Sequence, residues 1–144
     1  MKKIEWKQPI ECLVDTCPLL EQYKRQESFP ECKKIKEMLK RKLDGYKAQD
    51  KRWDIYSEHY TIKLDELVDR LLESGMKCHY CQKQMNLCTS RSRDPSQWTL
   101  DRINNSQGHN RTNVVVGCLS CNLSRRNIPL DKFLFTKQLR IEKI

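Results

Sequence analysis

Two Cys-x-x-Cys pairs, Cys78/Cys81 and Cys118/Cys121, constrain this 144-residue chain more than any other feature. Each pair presents two sulfurs from one tight turn. Together they supply the four thiolates that tetrahedral structural zinc takes at about 2.3 Å per Zn–S bond. Four protein ligands leave no open position for water, so such a site is structural and its binding energy is folding energy. The competing reading is four buried thiols that hold no metal, because cysteine packs well as a small apolar residue. One pair alone is weak evidence, and two in register are much stronger. Of the remaining cysteines, Cys12, Cys17, Cys32 and Cys88, some could join His59 or His79 in a second site, or simply pack.

The first residues, MKKIEWKQPIEC, carry basic charge but no apolar stretch after it, unlike a secretory signal. No run approaches the roughly 18 apolar residues of a membrane span. The expectation is an intracellular protein, cytoplasmic or nuclear, without a membrane partner. In a reducing compartment, clustered thiols read as metal ligands rather than disulfides.

Periodicity places the elements around the cysteines. Ser28-Phe-Pro-Glu31 has the form of a capping box, and Cys32, Ile35, Met38, Leu39, Leu43 and Tyr46 then recur at helical spacing, with Gly45 marking a weakening end. Leu64, Leu67, Val68, Leu71 and Leu72 form a second apolar stripe, with Thr61 as N-cap and Gly75 just past the end. This helix delivers the backbone into the first pair. The 36 residues between the pairs hold a polar loop and two strand candidates, Trp98 to Ile103 and Asn113 to Cys118, joined by NNSQGHNRT as an antiparallel pair. A short helix follows Cys121, and Leu130, Phe133, Leu134 and Ile141 mark a last amphipathic segment. Residues 1 to 27 show no clear periodicity, and Pro9 and Pro18 argue against one continuous helix there.

The 28 basic residues against 19 acidic leave a formal charge of +9, a long-range attraction for polyanions. Much of it lies on the polar faces of the first helix: Lys33, Lys36, Lys40, Arg41, Lys42 and Lys47, to which Arg125 and Arg126 add a second basic pair. These residues are candidates for nucleic-acid phosphates. A merely solvated helix face is the alternative.

Leu100-Asp-Arg-Ile103, Gly108, Asn113-Val-Val115 and Cys118-Leu-Ser-Cys121-Asn122, preceded by a helix running into a first Cys-x-x-Cys, together resemble the HNH endonucleases of the His-Me finger superfamily, in the phage-type form with two zinc-binding knuckles. The resemblance covers Leu64 to about Asn127. It implies a small α+β fold, mostly helical, with a zinc-stapled ββα-metal unit at residues 61–128. Around that unit lie a basic helical extension at 1–60, expected to bind nucleic acid, and a C-terminal amphipathic helix at 129–144 packed on it. It further implies one catalytic divalent cation, magnesium or manganese, held by Asp101 and Asn122. Asn113 falls on the asparagine that tethers the hairpin loop.

Arg102 departs from the family pattern, which places a histidine base there. A guanidinium has no basic lone pair at neutral pH, although its planar fork suits phosphate. The base must come from elsewhere. His109, in the loop between the strands, has an ordinary pKa near 6.5 and is one candidate; metal-bound hydroxide is another. The function expected from the resemblance is hydrolysis of DNA phosphodiester bonds, in double-stranded or branched DNA, with RNA not excluded. A zinc-stapled nucleic-acid-binding module that has lost turnover is the alternative.

Overall fold

The computed structural model describes residues 17–26, 28, 32–88 and 93–139. Among them are five helices and one two-stranded antiparallel sheet, a small α+β arrangement. The order is α1 (Cys17–Lys24), α2 (Cys32–Arg52), α3 (Leu64–Glu73), β1 (Trp98–Arg102), β2 (Val114–Cys118), α4 (Leu119–Arg125) and α5 (Leu130–Gln138). None of these helices is long and apolar enough to cross a membrane.

Helix α2 is longer than its sequence pattern predicts. It runs through Gly45 to Arg52, because Tyr46 and Asp50 beyond the glycine are anchored from outside the helix. The tertiary contacts outweigh the roughly 1 kcal/mol that an interior glycine costs. Gly45 is exposed, and a Cβ built there would meet nothing within 4 Å. Gly45→Ala is therefore expected to raise stability by about 0.5–1 kcal/mol, read as a higher urea midpoint at unchanged slope. A part of the predicted capping box, residues 29–31, lies outside the described residues.

Helix α1 forms where no periodicity was evident. Pro18 stands in its first turn, where a missing N–H is tolerated, and Leu20 is fully buried. The start of α3 also differs from expectation. Lys63 occupies the cap position, and its backbone N–H donates to Glu66 Oε2 at 2.9 Å. Thr61 is drawn instead into an antiparallel bridge with Asn110, and the neighbouring Ile62 N–H donates to the His109 carbonyl at 2.9 Å. Gly75, with φ +60°, takes the left-handed position after the Ser74 cap, as the sequence predicts.

The hairpin register pairs Trp98 with Cys118, Thr99 with Gly117, Leu100 with Val116, Asp101 with Val115 and Arg102 with Val114. Alternation then separates two faces. One carries Trp98, Leu100, Val114 and Val116 into an apolar cluster shared with Leu20 of α1, Ile35, Leu39 and Leu43 of α2, and Leu67 and Leu71 of α3. The other carries Thr99, Asp101 and Gly117. Tyr80 covers this second face, since a Cβ on Gly117 would lie 3.2 Å from its ring, and Phe133 of α5 meets Tyr80 edge-on at 4.9 Å. Ile141, predicted on the last amphipathic segment, lies outside the described residues.

Candidate metal centre and the Asp101 cluster

The two knuckles meet. Sγ atoms of Cys78, Cys81, Cys118 and Cys121 all lie within 4.8 Å of one another, with Cys81 and Cys118 at 3.9 Å. Tetrahedral zinc with 2.3 Å bonds separates its sulfurs by about 3.8 Å, so the thiols stand close to the spacing such an ion imposes. Backbone N–H groups already point at the sulfurs: Tyr80 and Cys118 donate to Cys78 Sγ at 3.4 and 3.3 Å, and Cys121 donates to Cys118 Sγ at 3.4 Å. For Cys78, burial works against the thiolate, but the donors from Cys118, Cys81 and Tyr80 outweigh it and lower the pKa. Burial raises Cys118 and Cys121, and the crowding of neighbouring sulfurs adds to this, as expected for thiols that need a cation to ionise together. Four cysteines able to hold a metal ion thus join the turn after α3 to the junction of β2 and α4. Among the described residues no second group of this kind forms. Cys12 lies outside them.

Beside this cluster sits Asp101, only 7% exposed. Its Oδ2 accepts from the Tyr80 hydroxyl and from Arg125 Nη1, the latter at 2.8 Å. Burial first, and then the bond to Asp101, raises the Tyr80 pKa, which keeps the phenol a donor. Arg125 is 2% exposed. It also donates to the carbonyls of Arg102, Ile103 and Ile128 at 2.6, 3.1 and 2.9 Å. Sequence reasoning placed Arg125 on the nucleic-acid surface, but the structure places it inside, because the register of α4 turns it onto the buried carboxylate. Arg126, next in the chain, is exposed.

Asn122, on α4, donates through Nδ2 to Thr99 Oγ1 at 3.1 Å. Thr99 and Asp101 share one face of β1, so Asn122 and Asp101 stand on the same side of the hairpin. Tyr80 and Arg125 both donate to Oδ2 of Asp101, and the side chain of Asn122 donates through its nitrogen. Asp101 Oδ1 and Asn122 Oδ1 have no hydrogen-bond partner among the described residues, and neither is sealed from solvent. Two such oxygens fit a hard cation that keeps most of its waters.

The loop between the strands is ordered by Asn113. Its Oδ1 accepts from the Asn104 N–H at 2.9 Å, and its Nδ2 reaches the carbonyls of Asn104 and Gly108 at 3.0 and 2.9 Å. Arg102 Nη1 donates to the carbonyls of Asn105 and Gln107 at 2.9 and 3.4 Å. Its Nε and Nη2 have no partner among the described residues. His109 is 3% exposed, with Nδ1 2.7 Å from Asp50 Oδ1. Burial lowers its pKa against the pull of Asp50, and the charges of Arg102 and Asp101 also reach it, in opposite directions.

On α2, Lys33, Lys36, Lys40 and Arg41 are exposed and Lys47 is half-buried. Lys42 turns inward instead: its Nζ donates to the Trp98 carbonyl and lies 4.0 Å from the centroid of the Trp98 ring, and burial lowers its pKa to about 8. Sequence reasoning missed Tyr80, Thr99 and Asp50, and read Tyr46 only as part of the apolar face of α2. Asp50 alone left a signal, a carboxylate in register with the apolar line Leu39, Leu43 and Tyr46. No family model matches the chain, and no curated protein or solved structure shows significant similarity to it.

Proposed function

We propose that the protein is an HNH-type endonuclease that hydrolyses phosphodiester bonds in DNA, with zinc in the cysteine cluster and magnesium or manganese at Asp101 and Asn122. The observation that carries this reading is the pair of free, solvent-touching oxygens, Asp101 Oδ1 and Asn122 Oδ1, on one side of a hairpin bracketed by a four-thiol cluster. When bound, the divalent ion supplies Lewis acidity and neutralises charge on the phosphate.

The chain's own groups supply the rest. Arg102, with Nε and Nη2 uncommitted, offers a forked donor to a phosphate. His109 offers the lone pair that arginine lacks. Asn113 fixes the loop that carries His109 relative to β1. Lys33, Lys36, Lys40, Arg41 and Arg126 give the exposed positive charge that attracts the DNA backbone, so affinity should fall steeply with salt. Double-stranded or branched DNA is the substrate class.

One observation favours a second reading, a zinc-stapled nucleic-acid-binding module without turnover. Arg125 already neutralises Asp101, which weakens the site's attraction for a cation. Plasmid nicking with magnesium or manganese separates the two. With the nuclease reading, wild type nicks and His109→Ala loses about 10²-fold or more in rate, the size of a general-base contribution. DNA binding without nicking by wild type in either metal would favour the binding module.

A further inference from the structure

Asp50 lies where the apolar face of α2 calls for a hydrophobe, and it is 0% exposed. Both of its oxygens engage one residue. Oδ1 is 2.7 Å from His109 Nδ1, and Oδ2 accepts the His109 backbone N–H at 2.7 Å. Tyr46, about one turn earlier, stacks on the imidazole at 4.5 Å between ring centroids and 27° between planes. The same tyrosine accepts the Leu100 N–H at 3.0 Å, on the strand that carries Asp101. The approach is close: a Cβ on Gly108 would come within 2.7 Å of both Asp50 Oδ2 and the Ile55 carbonyl.

A carboxylate facing Nδ1 can only accept, so Nδ1 carries the proton and Nε2 bears the lone pair. Nε2 has no hydrogen-bond partner among the described residues and is not sealed from solvent. A buried aspartate that grips a histidine by side chain and backbone, under a stacking aromatic, is more than a loop anchor needs. It fixes the ring plane, the tautomer and the direction of Nε2 together.

We propose that Asp50 is a positioning residue that holds His109 as the Nδ1–H tautomer and presents Nε2 to the water that attacks the phosphate. This rests on the nuclease reading. In the step, Nε2 takes a proton from water as the water oxygen bonds to phosphorus. The bond from phosphorus to the leaving oxygen breaks, its electron pair stays on that oxygen, and the oxygen is protonated by solvent. Asp50 keeps its hydrogen bond to Nδ1–H and stabilises the imidazolium that forms; the proton on Nε2 then returns to solvent.

The test uses the full-length, metal-loaded protein and has two arms. Long-range ¹H–¹⁵N correlation of the histidine rings in wild type should show His109 protonated on Nδ1 and bare on Nε2. Asp50→Asn should populate the other tautomer and, with the negative partner gone, move the His109 titration to lower pH, with Arg102 and Asp101 on β1 unchanged. In the second arm, Asp50→Asn should reduce the nicking rate about 10²-fold or more at unchanged DNA affinity, shift the acid limb of the pH–rate profile with the titration, and cost little further in a His109→Ala background. Wild-type His109 found protonated on Nε2 would overturn the proposal, whether or not the variant folds. So would an Asp50→Asn variant whose tautomer and pH profile match wild type. Wild type that nicks no DNA while its His109 is protonated on Nδ1 would sink the nuclease reading and leave Asp50 a structural anchor, which distinguishes the two failures.

Discussion

Cys118→Ser is expected to cost the protein both its metal and its cooperative fold. Cys118 closes β2, caps α4 through its sulfur, and lies in the cluster that joins both to the turn after α3. Structural zinc in small domains contributes an apparent ~10–16 kcal/mol at neutral pH, comparable to the whole stability of a typical domain, about 5–15 kcal/mol. A serine oxygen is a poor replacement for a thiolate ligand. Metal analysis of purified wild type should return about one zinc per chain, and Cys118→Ser should return none, with loss of a sigmoidal melt. Cys32→Ser, on α2 and outside the cluster, should keep both. A Cys118→Ser protein that is metal-free yet melts cooperatively near the wild-type temperature would remove the metal from the account of the fold.

The next largest effect is expected at Arg125. Its side chain is 3% exposed and that of Asp101 is 9%, so solvent screens the pair little. Removing one partner of a buried pair leaves an uncompensated charge and costs about 3–5 kcal/mol. Arg125→Met should lose about that much, with added loss from the carbonyls of Arg102, Ile103 and Ile128, which Arg125 also serves. Adding Asp101→Asn should recover part of it, because the carboxylate charge is then gone and the two changes are not additive. Urea unfolding of the zinc-loaded single and double variants measures both values. An Arg125→Met protein within 1 kcal/mol of wild type, a surface-like effect, would mean the pair contributes little.

The local signals were legible in the sequence. Cysteine spacing marks the four thiols that the fold brings together as one possible metal site, helical spacing marks α3 and its Gly75 terminus, and the Val-rich stretch marks β2. The strand bounds differ from expectation by one residue at each loop-facing end. Contacts between distant segments were not legible. Gly45 reads as a helix end only until Tyr46 and Asp50 find partners across the loop. Lys42 and Arg125 read as surface cations because charge is usually solvated; each turns inward to acceptors, the Trp98 carbonyl and the Asp101 carboxylate, that no local pattern announces. Thr61 reads as a cap by residue type, yet its bridge to Asn110 sets it before the helix begins.

The Asp101–Arg125 pair also decides how the chemistry should be probed. Alanine at Asp101 would strand a buried guanidinium and confuse misfolding with lost cation binding, whereas Asp101→Asn keeps an acceptor for Tyr80 and Arg125 and removes only the charge. Supercoiled plasmid nicking, with magnesium, manganese or chelator, on wild type and Asp101→Asn of matched zinc content and DNA affinity tests the central claim most directly. The account predicts nicking by wild type that chelation of the divalent ion stops, and its loss in Asp101→Asn. Equal nicking by the two proteins, or none by wild type with either metal, would contradict it.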